Sequence, residues 1–160
     1  MKTLSILLAC AIVLLFLRVD IVSSDDPQKE FEAIGKMSPR DLAPKAKTVL
    51  EKKYPNENWD KYHFPKFVYL KDEVTTGYKI AVKEPELLAK FPCYCYCEAM
   101  GHKNLSYCYL KGGKLVKGFD SHAAGCNTCN GQSMMAFLWN DLGIEQPKMQ
   151  AEMKRIFEHK

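Results

Sequence analysis

In three parts of the chain, apolar side chains recur every three or four residues. This spacing is typical of a helix with one buried face. The first part runs from Ser38, which precedes a proline as at many helix starts, to Tyr54. The second covers residues 74–91, and the third covers residues 134–157 and divides at Gly143, a residue typical of helix ends. The pattern therefore predicts a mainly α fold. The periodic apolar positions are Leu42, Ala46, Val49, Leu50, Val74, Tyr78, Ala81, Val82, Leu87, Leu88, Phe91, Met134, Met135, Phe137, Leu138, Leu142, Met149, Met153, Ile156 and Phe157.

Other parts of the chain lack this period. Residues 25–37 are polar, and we expect a flexible lead-in there. A short strand is predicted at Phe67–Leu70, and Thr75 or Thr76 is expected to cap the helix that follows. Glu84–Pro85 should interrupt that helix, because proline disfavours the helical conformation in the residue before it.

A long irregular segment follows, from Pro92 to about Gly125. Loops of this length without regular structure are uncommon and usually functional. We therefore expect residues 38–160 to form one small helical domain, in which a loop region rich in cysteine and histidine is packed between helices.

The N-terminus indicates export. Lys2 precedes a mostly apolar run over residues 4–17, and small residues at 22–24 come before two aspartates. This order is typical of a signal peptide over residues 1–24. An uncleaved membrane anchor is the alternative, and it is the one route by which we expect the chain to contact a membrane. Either way the protein should be periplasmic or otherwise extracytoplasmic.

Composition excludes several classes of protein. With 47% hydrophobic and 26% charged residues, neither a disordered chain nor a membrane bundle is indicated. The formal net charge is only +4, and basic residues form no stripe with interleaved aromatics, so no nucleic-acid partner is predicted.

The candidate chemistry lies in a short part of the irregular region and the helix that follows it. The spacing is C-x-C-x-C-x4-H-x5-C-x13-H-x3-C-x2-C, a concentration of metal-binding side chains that predicts one shared site. The candidate ligands are Cys93, Cys95, Cys97, His102, Cys108, His122, Cys126 and Cys129.

Two uses of these cysteines compete. If Cys93, Cys95 and Cys97 lie on extended backbone, their sulfurs project to one face and converge on an ion. Structural disulfides are the alternative in an oxidising compartment, although C-x-C neighbours close a strained ring. A metal centre is the hypothesis we favour, and a disulfide-stabilised interaction module without metal stays open.

A third use concerns the C-x2-C of Cys126 and Cys129, which opens a predicted helix. The backbone dipole at a helix N-terminus stabilises a thiolate, which suits metal binding and thiol–disulfide exchange equally. His122 is near enough to join these two cysteines, and Asp120 is a candidate acceptor for its second ring nitrogen.

The chain resembles a known family at Phe91–Cys97, Gly101–His102, Cys108–Tyr109 and His122–Cys129. This is the bacterial family named for its PCYCGC motif, and the resemblance implies an exported protein or lipoprotein with a shared cysteine site. Tyr96 stands where the family carries glycine. The substitution should disfavour a positive φ between Cys95 and Cys97.

We therefore expect an extracytoplasmic metal-binding protein for metal sequestration, trafficking or resistance. Soft thiolates favour Cu(I) first, and four-coordinate Cys/His sets favour Zn(II) second. Another exported metal-handling protein is the expected partner. No hydrolase, phosphate-loop or zinc-protease motif is present, so no enzyme is predicted.

Overall fold

Six α-helices form the regular structure of residues 26–158, the part of the chain that the computed structural model describes. The predicted signal peptide, residues 1–24, lies outside these residues. The mainly α fold is confirmed, and none of the described helices is long and apolar enough to cross a membrane. The helices are α1 (Pro27–Ile34), α2 (Pro39–Lys53), α3 (Asp72–Lys83), α4 (Pro85–Leu88), α5 (Asn127–Asp141) and α6 (Gln146–Phe157).

Helix α5 is the centre of the domain. Every residue from Cys129 to Trp139 is buried, as expected of a helix surrounded by others. All five other helices contact it, and α2 and α3 also pack against each other. The N-terminal end of α5 carries the C-x2-C, so the best-buried helix of the fold fixes one part of the candidate site.

Helix α1 lies in the segment predicted as a flexible lead-in, and that prediction is wrong for Pro27–Ile34. Phe31 and Ile34 are buried, and the rings of Phe31 and Trp139 lie 4.8 Å apart. The indole Nε1 of Trp139 donates a hydrogen bond to the backbone oxygen of Phe31 at 3.0 Å. Docking on α5 therefore holds a helix that has only a few apolar residues among charged ones.

The starts of α2 and α3 differ in how well the sequence predicted them. Ser38 accepts a hydrogen bond from the backbone N–H of Asp41, as expected of a capping serine. Helix α3 begins at Asp72, before the predicted threonine caps, and Thr75 instead donates to the backbone oxygen of Val68 at 2.8 Å.

The predicted strand at Phe67–Leu70 is also wrong. Lys66–Tyr69 forms a 3₁₀ turn, in which the N–H of Val68 donates to the oxygen of Pro65. A strand needs a neighbour for its hydrogen bonds, and the described residues hold only one isolated bridge, between Leu110 and Phe119. The break at Glu84–Pro85 is confirmed, because α3 ends at Lys83 and α4 begins at Pro85.

The region from Pro92 to Gly125 is irregular, as predicted. It consists of short 3₁₀ turns joined by extended residues, and it packs between helices. The turn Leu105–Cys108 contacts α4 and α5, and the turn His122–Gly125 contacts α3 and α5. These contacts hold a loop that has little regular hydrogen bonding of its own.

Helix α3 approaches this region closely at Gly77. A Cβ added there would lie 2.8 Å from Oδ1 of Asn130 and 2.9 Å from the ring of Tyr109. Both of those side chains are buried, so neither can move aside easily. Gly77 therefore sets the distance between α3 and the residues beneath the candidate site.

We expect Gly77→Ala to destabilise the protein by about 1 kcal/mol. Overpacking costs roughly 1–3 kcal/mol, and the gain of about 1 kcal/mol from placing alanine in a helix offsets only part of a cost in the middle of that range. Gly131→Ala is the matched control, because its new Cβ would meet its nearest neighbours at an ordinary 3.5 Å. Thermal unfolding should show a lower Tm for the first variant and an equal or higher Tm for the second; equal effects would contradict this packing.

Candidate metal centre

The six cysteines between Cys93 and Cys129 come together in one cluster. The Sγ of Cys93 lies 3.1 Å from that of Cys95, 3.3 Å from that of Cys108 and 3.6 Å from that of Cys129. The Sγ atoms of Cys97 and Cys108 are 3.8 Å apart. The convergence predicted from the spacing is therefore present in the fold.

Three overlapping groups of four ligand atoms occur within this cluster. In each group all four atoms lie within 4.8 Å of one another, so each group could hold a metal ion. Cys95 belongs to all three, and His122 joins two of them, with its Nε2 lying 3.3 Å from the Sγ of Cys95. The groups are Cys93, Cys95, Cys108 and Cys129; Cys95, Cys97, Cys108 and His122; and Cys95, His122, Cys126 and Cys129.

The sulfur separations suit metal ligands better than disulfides. Four sulfurs placed about 2.3 Å from a tetrahedral ion lie about 3.8 Å apart. A disulfide instead requires about 2.05 Å between its two sulfurs. All six cysteines of the cluster are free thiols, and the separations given above run from 3.1 to 3.8 Å.

The C-x-C-x-C run reaches this arrangement through a turn, not through the extended backbone that we predicted. Residues 94–96 form a turn and bend, and a 3₁₀ turn begins at Cys97. Tyr96 nevertheless has a φ of +59°, so the residue adopts the positive φ that a tyrosine side chain disfavours. The left-handed residue reverses the chain, which lets sulfurs from both sides of the turn meet.

The conformation of Tyr96 should carry a measurable strain. A left-handed conformation costs an L-residue other than glycine roughly 1–2 kcal/mol, and the Tyr96 side chain is largely exposed. Its hydroxyl donates to the backbone oxygen of Glu158 at 3.1 Å, a tie to the end of α6.

We therefore expect Tyr96→Gly to be more stable than Tyr96→Ala by about 1 kcal/mol. Both variants lose the ring and its hydrogen bond, so their difference reports the backbone alone. Urea unfolding of the two variants measures it. Equal stabilities would mean that the left-handed turn is absent in solution.

The C-x2-C lies at the start of a helix, as predicted. Cys126 is the residue before α5, and its Sγ accepts a hydrogen bond from the backbone N–H of Cys129 at 3.3 Å. The Cys129 thiol and this N–H together lower the pKa of Cys126 to about 6, against the opposing effect of burial. Cys126 is half-buried and Cys129 is fully buried, so the two thiols differ in access to solvent.

Neighbouring thiols dominate the electrostatics of the cluster. Hydrogen bonds from Cys108 and Cys129 hold the pKa of Cys93 well below its ordinary value. Burial raises the pKa of Cys95, and the thiol of Cys93 adds to that shift. The neighbouring thiols thus stabilise a thiolate at Cys93, and metal binding would replace the protons of the other thiols.

Sequence reasoning missed a buried polar network beneath the thiols. The hydroxyl of Tyr109 lies 2.9 Å from the backbone oxygen of Cys129 and 2.7 Å from the hydroxyl of Ser133. The amide of Asn130 donates to the backbone oxygen of Ala123 at 2.9 Å. Polar residues inside the otherwise apolar helix α5 were the available signal, and their role is to fix the loop against that helix.

The two predicted histidines are placed differently. His122 joins the thiols, whereas His102 belongs to none of the three groups, and its ring stands at 83° to that of His122 with centroids 5.2 Å apart. Asp120 accepts from the backbone N–H of His122 at 2.9 Å, so it orients the chain and not the imidazole for which we predicted it.

Two buried side-chain nitrogens without a hydrogen-bond partner flank the cluster: Nδ1 of His102 and Nε2 of Gln132. Gln132 is anchored through its oxygen, which accepts from the N–H of Tyr94 at 3.4 Å. Buried polar atoms normally find partners. The amide nitrogen of Gln132 can only donate, so it needs an acceptor such as water and cannot bind a cation, whereas an unprotonated imidazole nitrogen of His102 could accept a hydrogen bond.

Fold and site together define a small helical domain whose irregular loop gathers thiols and an imidazole into a cluster that could hold a metal ion. A family model described as "Protein of unknown function with PCYCGC motif" matches residues 44–156, and the chain belongs to that family. Comparisons with curated proteins and with solved structures gave no match.

Proposed function

We propose that this protein binds Cu(I) outside the cytoplasm, with Zn(II) as the second choice, and acts in metal sequestration, trafficking or resistance. The observation that carries the proposal is the convergence of six unpaired thiol sulfurs and the Nε2 of His122 in overlapping groups of four. Such a set of soft donors suits a soft cation. Location outside the cytoplasm is inferred from residues 1–24 of the sequence.

The number of thiols supports Cu(I) over Zn(II). A structural zinc site is closed by four ligands. This cluster holds six sulfurs, and its groups of four have ligands in common. After four of them close a zinc site, two further thiols would remain within reach of the same centre. Cu(I) uses soft thiolate ligands of this kind.

Burial supports transfer of the ion as well as its storage. Cys93, Cys97, Cys108 and Cys129 are buried, whereas Cys95, Cys126 and His122 are partly exposed. An ion could first meet the exposed ligands and then pass to the buried ones by exchange of shared sulfurs. The exposed side is where another exported metal-handling protein would deliver or collect it.

Anaerobic purification followed by elemental analysis tests the proposal. The protein should hold copper, or take up Cu(I) when the ion is supplied with a reductant. Intact mass after alkylation of the unfolded metal-free protein should show six reactive thiols in the cluster. A preparation that neither holds nor binds copper or zinc would end the proposal, and a protein six hydrogens lighter and unreactive to alkylation would favour the disulfide-stabilised module.

Thiol–disulfide exchange is a second candidate, because the C-x2-C combines a half-exposed Cys126 at a helix start with a buried Cys129. In this reaction the Cys126 thiolate attacks one sulfur of a substrate disulfide and releases the other as a thiolate. Cys129 then attacks the mixed disulfide, releases the second substrate thiolate and forms a disulfide with Cys126, which an added dithiol reduces before the next turnover. Replacing Cys126 with serine should abolish turnover of a model disulfide. Unchanged turnover would rule this function out.

A further inference from the structure

The three ligand groups share members in a way that a site for one ion does not require. Cys95 and Cys129 both belong to an inner group with Cys93 and Cys108, and both belong to an outer group with His122 and Cys126. The two shared sulfurs are 3.6 Å apart. The inner and outer groups therefore have one common edge.

From this shared edge we propose that the cluster binds at least two Cu(I) ions, with the thiolates of Cys95 and Cys129 bridging them. The inference rests on the proposed function, since it concerns the same ligands. Cys93 and Cys108 complete the coordination of the inner ion, and His122 and Cys126 complete that of the outer ion. Each thiol that becomes a ligand loses its proton to solvent, and the oxidation state of copper does not change.

Charge explains why sharing is favourable here. All the ion pairs found within residues 26–158 lie outside the segment from Cys93 to Cys129, so no salt bridge offsets thiolate charge there. Burying uncompensated charge is costly. With two shared sulfurs, the outer ion adds one positive charge and recruits only one further thiolate, Cys126, because imidazole binds a metal as a neutral ligand. The second ion thus leaves the net charge of the cluster unchanged, whereas a second set of unshared thiolates would make it more negative.

The two groups also differ in exposure. Cys93, Cys108 and Cys129 are almost completely buried, whereas Cys126 and His122 are partly exposed. Ligands that belong to the outer ion alone can therefore be replaced without opening the core. This difference permits removal of one ion while the other is kept.

Native mass spectrometry of the full chain, loaded anaerobically with excess Cu(I), tests the inference. The unchanged protein should hold two or more ions, and the double variant C126S/H122N should hold one fewer. The control H63N should keep the original number, because His63 is exposed, lies outside the cluster and has a φ of +49° that asparagine tolerates.

The outcomes separate this inference from the proposed function. A single ion in the unchanged protein, or the same number in the double variant, would overturn the bridged arrangement and leave Cu(I) binding intact. Absence of copper from the unchanged protein would overturn both. Circular dichroism of each variant shows whether the helices are retained, and a double variant that is folded and holds no copper also contradicts an independent inner site.

Discussion

Replacing Cys95 with serine is expected to lower the affinity for Cu(I) by at least about 100-fold, since loss of groups that merely support a ligand already costs 10- to 100-fold. Cys95 is the ligand common to all three groups. Its sulfur lies 3.6 Å from that of Cys129 and 3.3 Å from the Nε2 of His122. Serine keeps nearly the same shape but offers a hard oxygen, which Cu(I) binds poorly.

Competition with a chromophoric Cu(I) chelator under anaerobic conditions measures this loss. The H63N variant provides the baseline for a replaced potential ligand outside the cluster. A loss of less than about 10-fold in C95S, below the range for supporting groups, would show that Cys95 is not the shared ligand. The comparison with Cys97→Ser is informative. Cys97 belongs to only one group, so its replacement should lower the affinity for Cu(I) by a smaller factor.

Replacing Phe31 with alanine should destabilise the protein by about 3 kcal/mol or more, as for other buried aromatic residues. The side chain is 4% exposed and packs on Trp139 of the central helix. Urea unfolding gives the change in free energy.

A flexible lead-in, which the sequence alone predicts, would show no such effect. Leu70→Ala is the control, since Leu70 is 65% exposed and its loss should change stability by no more than about 0.5 kcal/mol. Similar small losses in both variants would mean that α1 does not dock on α5 in solution.

The contrast between α1 and α2 shows what a pattern of apolar residues can predict. Helix α2 repeats several apolar residues after a capping serine, and its start was predicted at the correct residue. Helix α1 has two buried apolar residues, Phe31 and Ile34, in a charged stretch, so its stability comes from docking on Trp139. Tertiary packing of this kind leaves little trace in local sequence.

The candidate site, too, was predicted only in part. The spacing alone predicted that the cysteines from Cys93 to Cys129 form one cluster, because so many metal-binding residues are seldom close together in sequence unless they share a site. It did not distinguish His122 from His102, since that depends on which turn faces the thiols. Nor did it predict the left-handed Tyr96, because a strained conformation is imposed by the contacts around it.

The supporting residues were harder still to predict. Tyr109, Asn130 and Ser133 meet through hydrogen bonds across more than twenty residues of chain. Each is unremarkable in sequence, although the two polar positions inside α5 conflict with its apolar surroundings. Such local conflicts are expected at functional sites.

The proposed function requires the thiols of this cluster to act together as ligands of one metal centre. X-ray absorption at the copper edge of the full chain, loaded anaerobically with Cu(I), tests it most directly. Sulfur should dominate the first coordination shell, and a second copper should lie close by. A first shell of nitrogen and oxygen alone would contradict it.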